Sequence, residues 1–146
     1  MIAQADLPEG YRLVVTTLDS LFITDHDDEA LQLYAELSEG EIWFSVNCID
    51  KDGLRRTVRG SVLYDLMMDH FGSLVFAVAG FWTVGENRRV FVESLANGKL
   101  PGEAAFQTWS GRQACRHGFT VAEFDWKDWQ HVPDTIGVRF RREDAA

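Results

Sequence analysis

The chain has 146 residues and a mass of 16.6 kDa, and its 46% apolar and 12% aromatic residues are enough to build one packed core. Its 25% charged residues, 12 glycines and 3 prolines exclude disordered, collagen-like and low-complexity chains. The formal charge is −9, and residues 1–53 hold 12 acidic and 2 basic side chains. This acidic first third disfavours binding to nucleic acid and favours a basic partner.

Location and redox state are predicted from what the sequence lacks. The longest stretch without a charged side chain, Phe71 to Gly85, is shorter than the roughly 20 residues of a spanning helix, so no membrane segment is expected. The first residues, MIAQADLPEG, do not resemble a secretory signal, and a cytoplasmic location follows. Cys48 and Cys115 form no CxxC or CxxH pattern, which indicates two buried, reduced thiols and neither a metal site nor a disulfide.

In the first half of the chain, the pattern predicts a strand, a helix and a hairpin. Residues 11–17, YRLVVTT, form the first strand. Asp25 or Asp27 then caps a short amphipathic helix that ends near residues 38–40. The apolar side chains of this helix recur at Ala30, Leu33, Tyr34 and Leu37. The segment EIWFSVNCID alternates as a strand, DKDG supplies a turn, and LRRTVRG returns as the second strand of a hairpin.

The second half begins with the strongest helical pattern. Ser61 is a cap candidate for the helix VLYDLMMDHF. The segment SLVFAVAGFW follows as a strand that is covered on both faces, or covered on one face and placed against an interface with the other. Asn87 caps the helix RRVFVESLA, which stops at Gly98. Pro101 then opens a single further helix through GEAAFQTWSGRQACRH. The segments FTVAEFDW and TIGVRFRR close the chain as a hairpin.

This order of elements predicts one α+β domain over residues 1–146. Its sheet is expected to be mixed or mostly antiparallel, with about five strands and with three to four helices packed mainly on one face. The sequence contains no repeat and no linker that would divide it.

Two groups of residues are candidates for chemistry or binding. His70 lies on the apolar stripe of its helix, where it either performs acid–base chemistry or bonds a carbonyl at the helix end. The catalytic interpretation places it in a pocket with Arg59, Asn87 and Thr108. No complete catalytic, nucleotide or metal motif accompanies them, so no cofactor and no metal are expected.

The second group is acidic and aromatic. The run Asp25-His26-Asp27-Asp28-Glu29 has metal-binding residue types, but neighbouring side chains on a helix diverge. It therefore indicates a helix cap and a solvated turn, or an acidic edge that binds protein. The chain also has 5 tryptophans, and Trp126 and Trp129 are candidate interface anchors, although filling the core is the alternative.

Three segments, RGSVLYDLMMDHFG, GFWTVGEN and ANGKLPGEAAFQTWSGRQACRHGF, resemble modules of bacterial polymorphic-toxin systems. The similar proteins are C-terminal modules of large effectors and the accessory proteins encoded with them. The residues that match are His70, Trp82, Asn87, Thr108, Trp109 and Gly111. The resemblance runs from Arg59 to Phe119 and implies a bacterial source and a role in antagonism. It implies no particular activity and leaves out the acidic first third.

These observations favour a small, acidic, cytoplasmic protein-binding module, an immunity-like partner of a bacterial effector, over an enzyme. The acidic edge expected to steer a basic partner consists of Asp25, Asp27, Asp28, Glu29, Glu36 and Glu39. The alternative is a small enzyme or effector domain with a pocket around His70. A homo-oligomer also stays open at this point.

Overall fold

The computed structural model describes residues 1–28, 31–47 and 60–143. Contacts along the chain divide it into two compact units, Met1–Val75 and Phe76–Ala146. The described residues form seven strands and four α-helices, which confirms the α+β class. The expected number of about five strands is too low, because a segment predicted to be helical forms strands. The assignment of residues 1–146 to a single domain stays a prediction.

The first unit is an antiparallel meander of four strands followed by a helix. Its strands pair in chain order and are β1 (Tyr11–Thr16), β2 (Ser20–Asp25), β3 (Gln32–Ser38) and β4 (Glu41–Asn47). Helix α1 (Gly60–Phe71) packs against β3 and β4, and short 3₁₀ turns occupy Gln4–Asp6 and Gly72–Leu74. The strand predicted at residues 11–17, the described part of the strand predicted at residues 41–50 and the helix VLYDLMMDHF are therefore confirmed. Cys48, the turn DKDG and residues 54–59 of the predicted return strand lie outside the described residues, and Gly60 begins α1. The prediction of two buried cysteines is wrong for Cys115, which is exposed.

The helix predicted to start at Asp25 or Asp27 is wrong, since these residues lie in the β2–β3 hairpin. Leu33 and Ala35 are buried and Tyr34 is exposed, which is the two-residue period of a strand. Asp25 caps a turn instead of a helix. Its Oδ1 accepts the backbone N–H groups of Asp27 (2.8 Å) and Asp28 (3.1 Å), and the carboxylate thereby stabilises the tight connection.

The core of the first unit lies between one face of the meander and α1. Leu63 and Met67 of α1 are fully buried, as are Leu33 and Ile42 of the strands. Phe44 and Tyr64 join the two layers through an edge-to-face contact with ring centroids 5.3 Å apart. This packing places the alternate side chains of β2, β3 and β4 on the opposite face, where the one tryptophan of the unit, Trp43, is found.

The second unit combines a three-stranded antiparallel sheet with three helices. Strands β5 (Ala77–Trp82), β6 (Val121–Phe124) and β7 (Ile136–Arg141) pair in the order β5-β7-β6. The helices are α2 (Glu86–Ala96), α3 (Pro101–Ala105) and α4 (Trp109–Arg116). The predicted strand within SLVFAVAGFW, the stop at Gly98 with its φ of 89°, and the terminal hairpin are confirmed.

The single helix predicted after Pro101 is wrong, because the chain breaks it between Ala105 and Trp109. Thr108 begins a new helix there: its hydroxyl donates to the carbonyl of Ala105 (2.6 Å) and accepts the N–H of Gly111 (2.9 Å). Asn87 is likewise not a helix cap. The N-cap of α2 is Gly85, and the Asn87 side chain bonds Ser110.

The core of the second unit is aromatic. Phe91 of α2 contacts Trp82 (5.4 Å between ring centroids), Phe124 (5.6 Å) and Trp129 (5.6 Å). Phe124 and Trp129 also meet edge to face at 4.9 Å. Four of the five tryptophans belong to this unit.

Candidate functional site

The face of the meander that points away from α1 carries three aromatic side chains on adjacent strands. Phe22 pairs with Tyr34 across β2 and β3, and their rings meet edge to face with centroids 5.8 Å apart. Trp43 of β4 pairs with Glu36 of β3. Tyr34 is 41% exposed and Trp43 39% exposed. We call Phe22, Tyr34, Glu36 and Trp43 the outer face.

A hydrogen bond links the aromatic and acidic parts of the outer face. The phenol of Tyr34 donates to the carboxylate of Glu36, two residues along β3. This bond to Glu36, together with partial desolvation and the negative charge of Glu36, raises the pKa of the Tyr34 phenol. The neutral phenol therefore holds the Glu36 carboxylate in place beside Trp43.

We expect Glu36→Gln to lower the pKa of Tyr34 towards its ordinary value, since the charged acceptor is removed. The raised pKa means that the contact stabilises the fold below the ordinary tyrosine pKa and that this contribution is lost as the pH rises through the raised value. The ultraviolet absorbance of phenolate, with Tyr34→Phe as the blank, reports the titration. Coincident curves for wild type and Glu36→Gln would contradict the assigned contact.

The carboxylates predicted to steer a partner do not form one continuous edge. Asp25 is buried, and Asp27 and Asp28 lie in the β2–β3 connection. Glu39 occupies the turn at the other end of β3 with a φ of 51°. The seven residues of β3 separate these two ends by about 23 Å. Of the six predicted residues, Glu36 alone belongs to the outer face, and Glu29 lies outside the described residues.

The charge of the chain is nevertheless concentrated in the first unit. That unit holds 14 acidic and 5 basic side chains, whereas the second holds 9 of each. All of the formal charge of −9 therefore belongs to the unit that carries the outer face.

The two tryptophans predicted as anchors lie in the loop that follows β6. Both Trp126 and Trp129 are half-buried. Trp126 donates its indole N–H to the carbonyl of Asp128, and Trp129 packs against Phe91 and Phe124. The ring contacts of Trp129 match the alternative interpretation, in which the ring fills the core, whereas Trp126 stays a candidate anchor.

His70 is buried and bonded at both ring nitrogens. Its Nδ1 accepts the backbone N–H of Ile2 (3.3 Å), and its Nε2 lies 2.7 Å from the carbonyl oxygen of Thr17. Because a carbonyl only accepts, Nε2 is the donor in this contact, while Nδ1 is the acceptor of the Ile2 N–H. His70 thus ties the N-terminal segment and the end of β1 to α1.

The other described residues of the predicted catalytic pocket belong to a different unit from His70. Asn87 and Thr108 belong to the second unit, where Asn87 exchanges two hydrogen bonds with Ser110 (2.9 and 3.2 Å) at the junction of α2 and α4. Thr108 is fully buried as the cap of α4. Arg59 lies outside the described residues.

An open groove of about 780 Å³ adjoins the start of α2, and its lining includes Val84, Arg88 and Arg89.

Ion pairs join β6 and β7 in the second unit. Glu123 accepts from Arg141 and from Arg139, whose Nη1 is 3.2 Å from the carboxylate. The hydrogen bond from Arg141 lowers the pKa of Glu123, and partial burial opposes this effect. These contacts join the neighbouring strands β6 and β7.

Two features are absent from the described ranges. Among residues 1–28, 31–47 and 60–143, no three histidine, cysteine or carboxylate side chains are grouped to hold a metal ion. No helix in that part of the chain is long and apolar enough to cross a bilayer.

No protein-family model matches the chain, and no curated protein matches it. The resemblance to polymorphic-toxin modules therefore stays a prediction. The outer face contains three residues that the sequence analysis does not place in a site, Phe22, Tyr34 and Trp43. The exposure of Trp43 could be predicted, because Trp43 alternates with the apolar residues Ile42 and Phe44 in a predicted strand. The exposure of Tyr34 could not, because the pattern predicts a helix for its segment.

Proposed function

We propose that this chain is a protein-binding module that presents the outer face to a basic partner protein. The observation that carries the proposal is the pair of exposed aromatic rings, Tyr34 and Trp43, on a unit that holds the entire net charge of −9. Tyrosine and tryptophan are enriched among residues that dominate binding energy in protein interfaces.

Charge and shape act at different stages of the proposed encounter. The net charge of the first unit accelerates association with a positively charged protein, and this effect weakens as salt increases. The flat aromatic surface then supplies the contact that slows dissociation. Glu36 offers the partner a fixed carboxylate, which suits a bidentate contact with arginine.

The finer proposal is that the partner is a bacterial effector with a basic surface, such as a nuclease, which the module neutralises. The acidic charge supports this role, because an inhibitor that covers a nucleic-acid-binding surface has to match its positive charge. We assign no reaction to His70, since both of its ring nitrogens are bonded to the main chain.

The proposal is tested with wild-type and Trp43→Ala baits in lysate of the source organism. A basic protein that only the wild type retains is identified by mass spectrometry, purified and measured for affinity. We expect Trp43→Ala to weaken its binding about 30-fold or more, the loss typical of a central anchor. Phe81→Ala, which truncates a ring of the second unit that is 61% exposed, is the matched control and should bind as the wild type does.

Charge variants test the steering step separately. Replacing Asp27, Glu36 and Glu39 together by lysine should slow association about tenfold at low salt and flatten its salt dependence. The proposal is overturned if nothing is retained, if the retained protein is acidic, or if Trp43→Ala and Phe81→Ala bind it equally well.

A further inference from the structure

Strand β1 forms the outer edge of the meander, with β2 as its neighbour on one side. Its second half and the following turn expose three apolar side chains: Val14 is 46% exposed, Val15 38% and Leu18 70%. An exposed strand edge with apolar, β-branched side chains is a template on which another extended chain pairs.

The first half of this edge is occupied by one side chain of the same unit. The carboxamide of Gln4 donates from Nε2 to the carbonyl of Tyr11 (2.8 Å), and its Oε1 accepts the N–H of Leu13 (2.9 Å). One residue of a parallel strand bridges its neighbour in this way, with a donor to one residue and an acceptor for the next but one. Gln4 therefore takes the place of a strand residue at the edge.

The second half of the edge faces outward beyond Gln4. The N–H of Thr17 donates to Ser20 across the β1–β2 turn (2.9 Å). Since successive N–H groups of a strand alternate in direction, the N–H of Thr16 points away from β2. The register of β1 against β2 shifts between Leu13 and Val15, which marks a bulge, so the outward N–H groups of Leu13 and Thr16 are three residues apart. A chain that displaced Gln4 would therefore pair at Tyr11 and Leu13 and reach Thr16 only by following the bend of the bulge.

We propose that the β1 edge is a docking site for an extended, basic segment of the partner, which replaces the Gln4 carboxamide at Tyr11 and Leu13. The inference rests on the proposed function for the sign of the partner's charge. Exposed carboxylates stand at both ends of the strand, with Asp6 and Glu9 before it and Asp19 after it. A second copy of this chain would instead bring two units of charge −9 together, which disfavours it as the occupant.

A synthetic peptide provides a probe that does not depend on the natural partner. It is a blocked ten-residue peptide that alternates lysine and valine, and its affinity is measured by calorimetry against wild type, Gln4→Ala and the control Gln107→Ala. Because the peptide competes with the two hydrogen bonds of Gln4, the Gln4→Ala protein should bind it about tenfold more tightly than the wild type does. Gln107 is exposed on the second unit, so its variant should match the wild type.

Two further peptides test the mode of binding. The same peptide with N-methyl groups on alternate residues cannot form the main-chain ladder, and a glutamate version has the opposite charge. Both should bind Gln4→Ala at least tenfold more weakly than the parent. Bound parent peptide should also slow hydrogen exchange at Leu13 and Thr16.

The edge inference is overturned if Gln4→Ala does not bind the lysine peptide, binds it no tighter than wild type, or accepts the N-methylated peptide equally well. None of these results depends on the outer face. A peptide that pairs with the free edge of β1 is separated from Trp43 on β4 by strands β1, β2 and β3. If Trp43→Ala bound the protein partner as tightly as the wild type does, that result would contradict the proposed function but not the edge inference.

Discussion

Gly111→Ala is expected to destabilise the chain by about 3 kcal/mol or more, the range of severe overpacking. A Cβ at Gly111 would lie 2.8 Å from the carbonyl carbon of Ala105 and 2.9 Å from the Cα of Phe106. Both are main-chain atoms that cannot turn aside as a side chain would. The hydroxyl of Thr108 fixes the same approach by bonding Ala105 and Gly111 at once. Urea denaturation followed by circular dichroism measures the loss.

Gly102→Ala is the matched control for this prediction. Gly102 also lies in a short helix of the second unit, and a Cβ there meets no atom within 4 Å. Alanine should therefore be neutral or stabilise the chain by up to about 1 kcal/mol through its helix propensity. Equal stabilities of the two variants would show that α3 and α4 do not approach each other at Gly111.

His70→Ala is expected to cost about 2–4 kcal/mol, because it removes a buried ring and leaves the N–H of Ile2 and the carbonyl of Thr17 without their partner. The melting temperature should fall by about 5–15 °C. His70→Gln should retain part of the stability, since its amide keeps a donor and an acceptor. Hydrogen exchange at Ile2 should accelerate in the alanine variant.

His26→Ala is the control, since His26 is an exposed histidine of the same unit. Its melting temperature should equal that of the wild type. This comparison also separates the structural role of His70 from the catalytic one. An activity lost in His70→Gln at unchanged melting temperature would support the alternative of an enzyme. Loss of stability alone supports a structural role of His70 through its bonds to Ile2 and Thr17.

The sequence predicted those elements in which one hydrophobic period was unambiguous. Helix α1 and strands β4 and β7 are of this kind. Over residues 31–37, however, Leu33 and Leu37 fit a helical stripe, while Leu31, Leu33, Ala35 and Leu37 fit strict alternation. The aspartates just before the segment are typical of a helix cap, and they favour the helical period, which is the wrong one. In the structure the Asp25 carboxylate instead bonds the N–H groups of a turn, which the same residue type does equally well.

The candidate site was harder to predict, because it depends on which residues meet across strands. The acidic cluster was visible in the sequence, but the hairpin places its members at two ends of β3 with Glu36 between them. Thr108 and Asn87 were selected as polar residues at element ends. In the structure they hold helices together, which composition does not distinguish from catalysis.

The distribution of tryptophans makes the two units optically separable. Trp43 is the one indole of the first unit and is partly exposed, while the other four belong to the second unit. In a Trp43→Phe protein the tryptophan fluorescence comes from the second unit alone, and the difference from the wild type isolates the outer face. Contact with a partner should therefore shift the Trp43 emission to shorter wavelength, and unfolding of the first unit can be followed without an added dye.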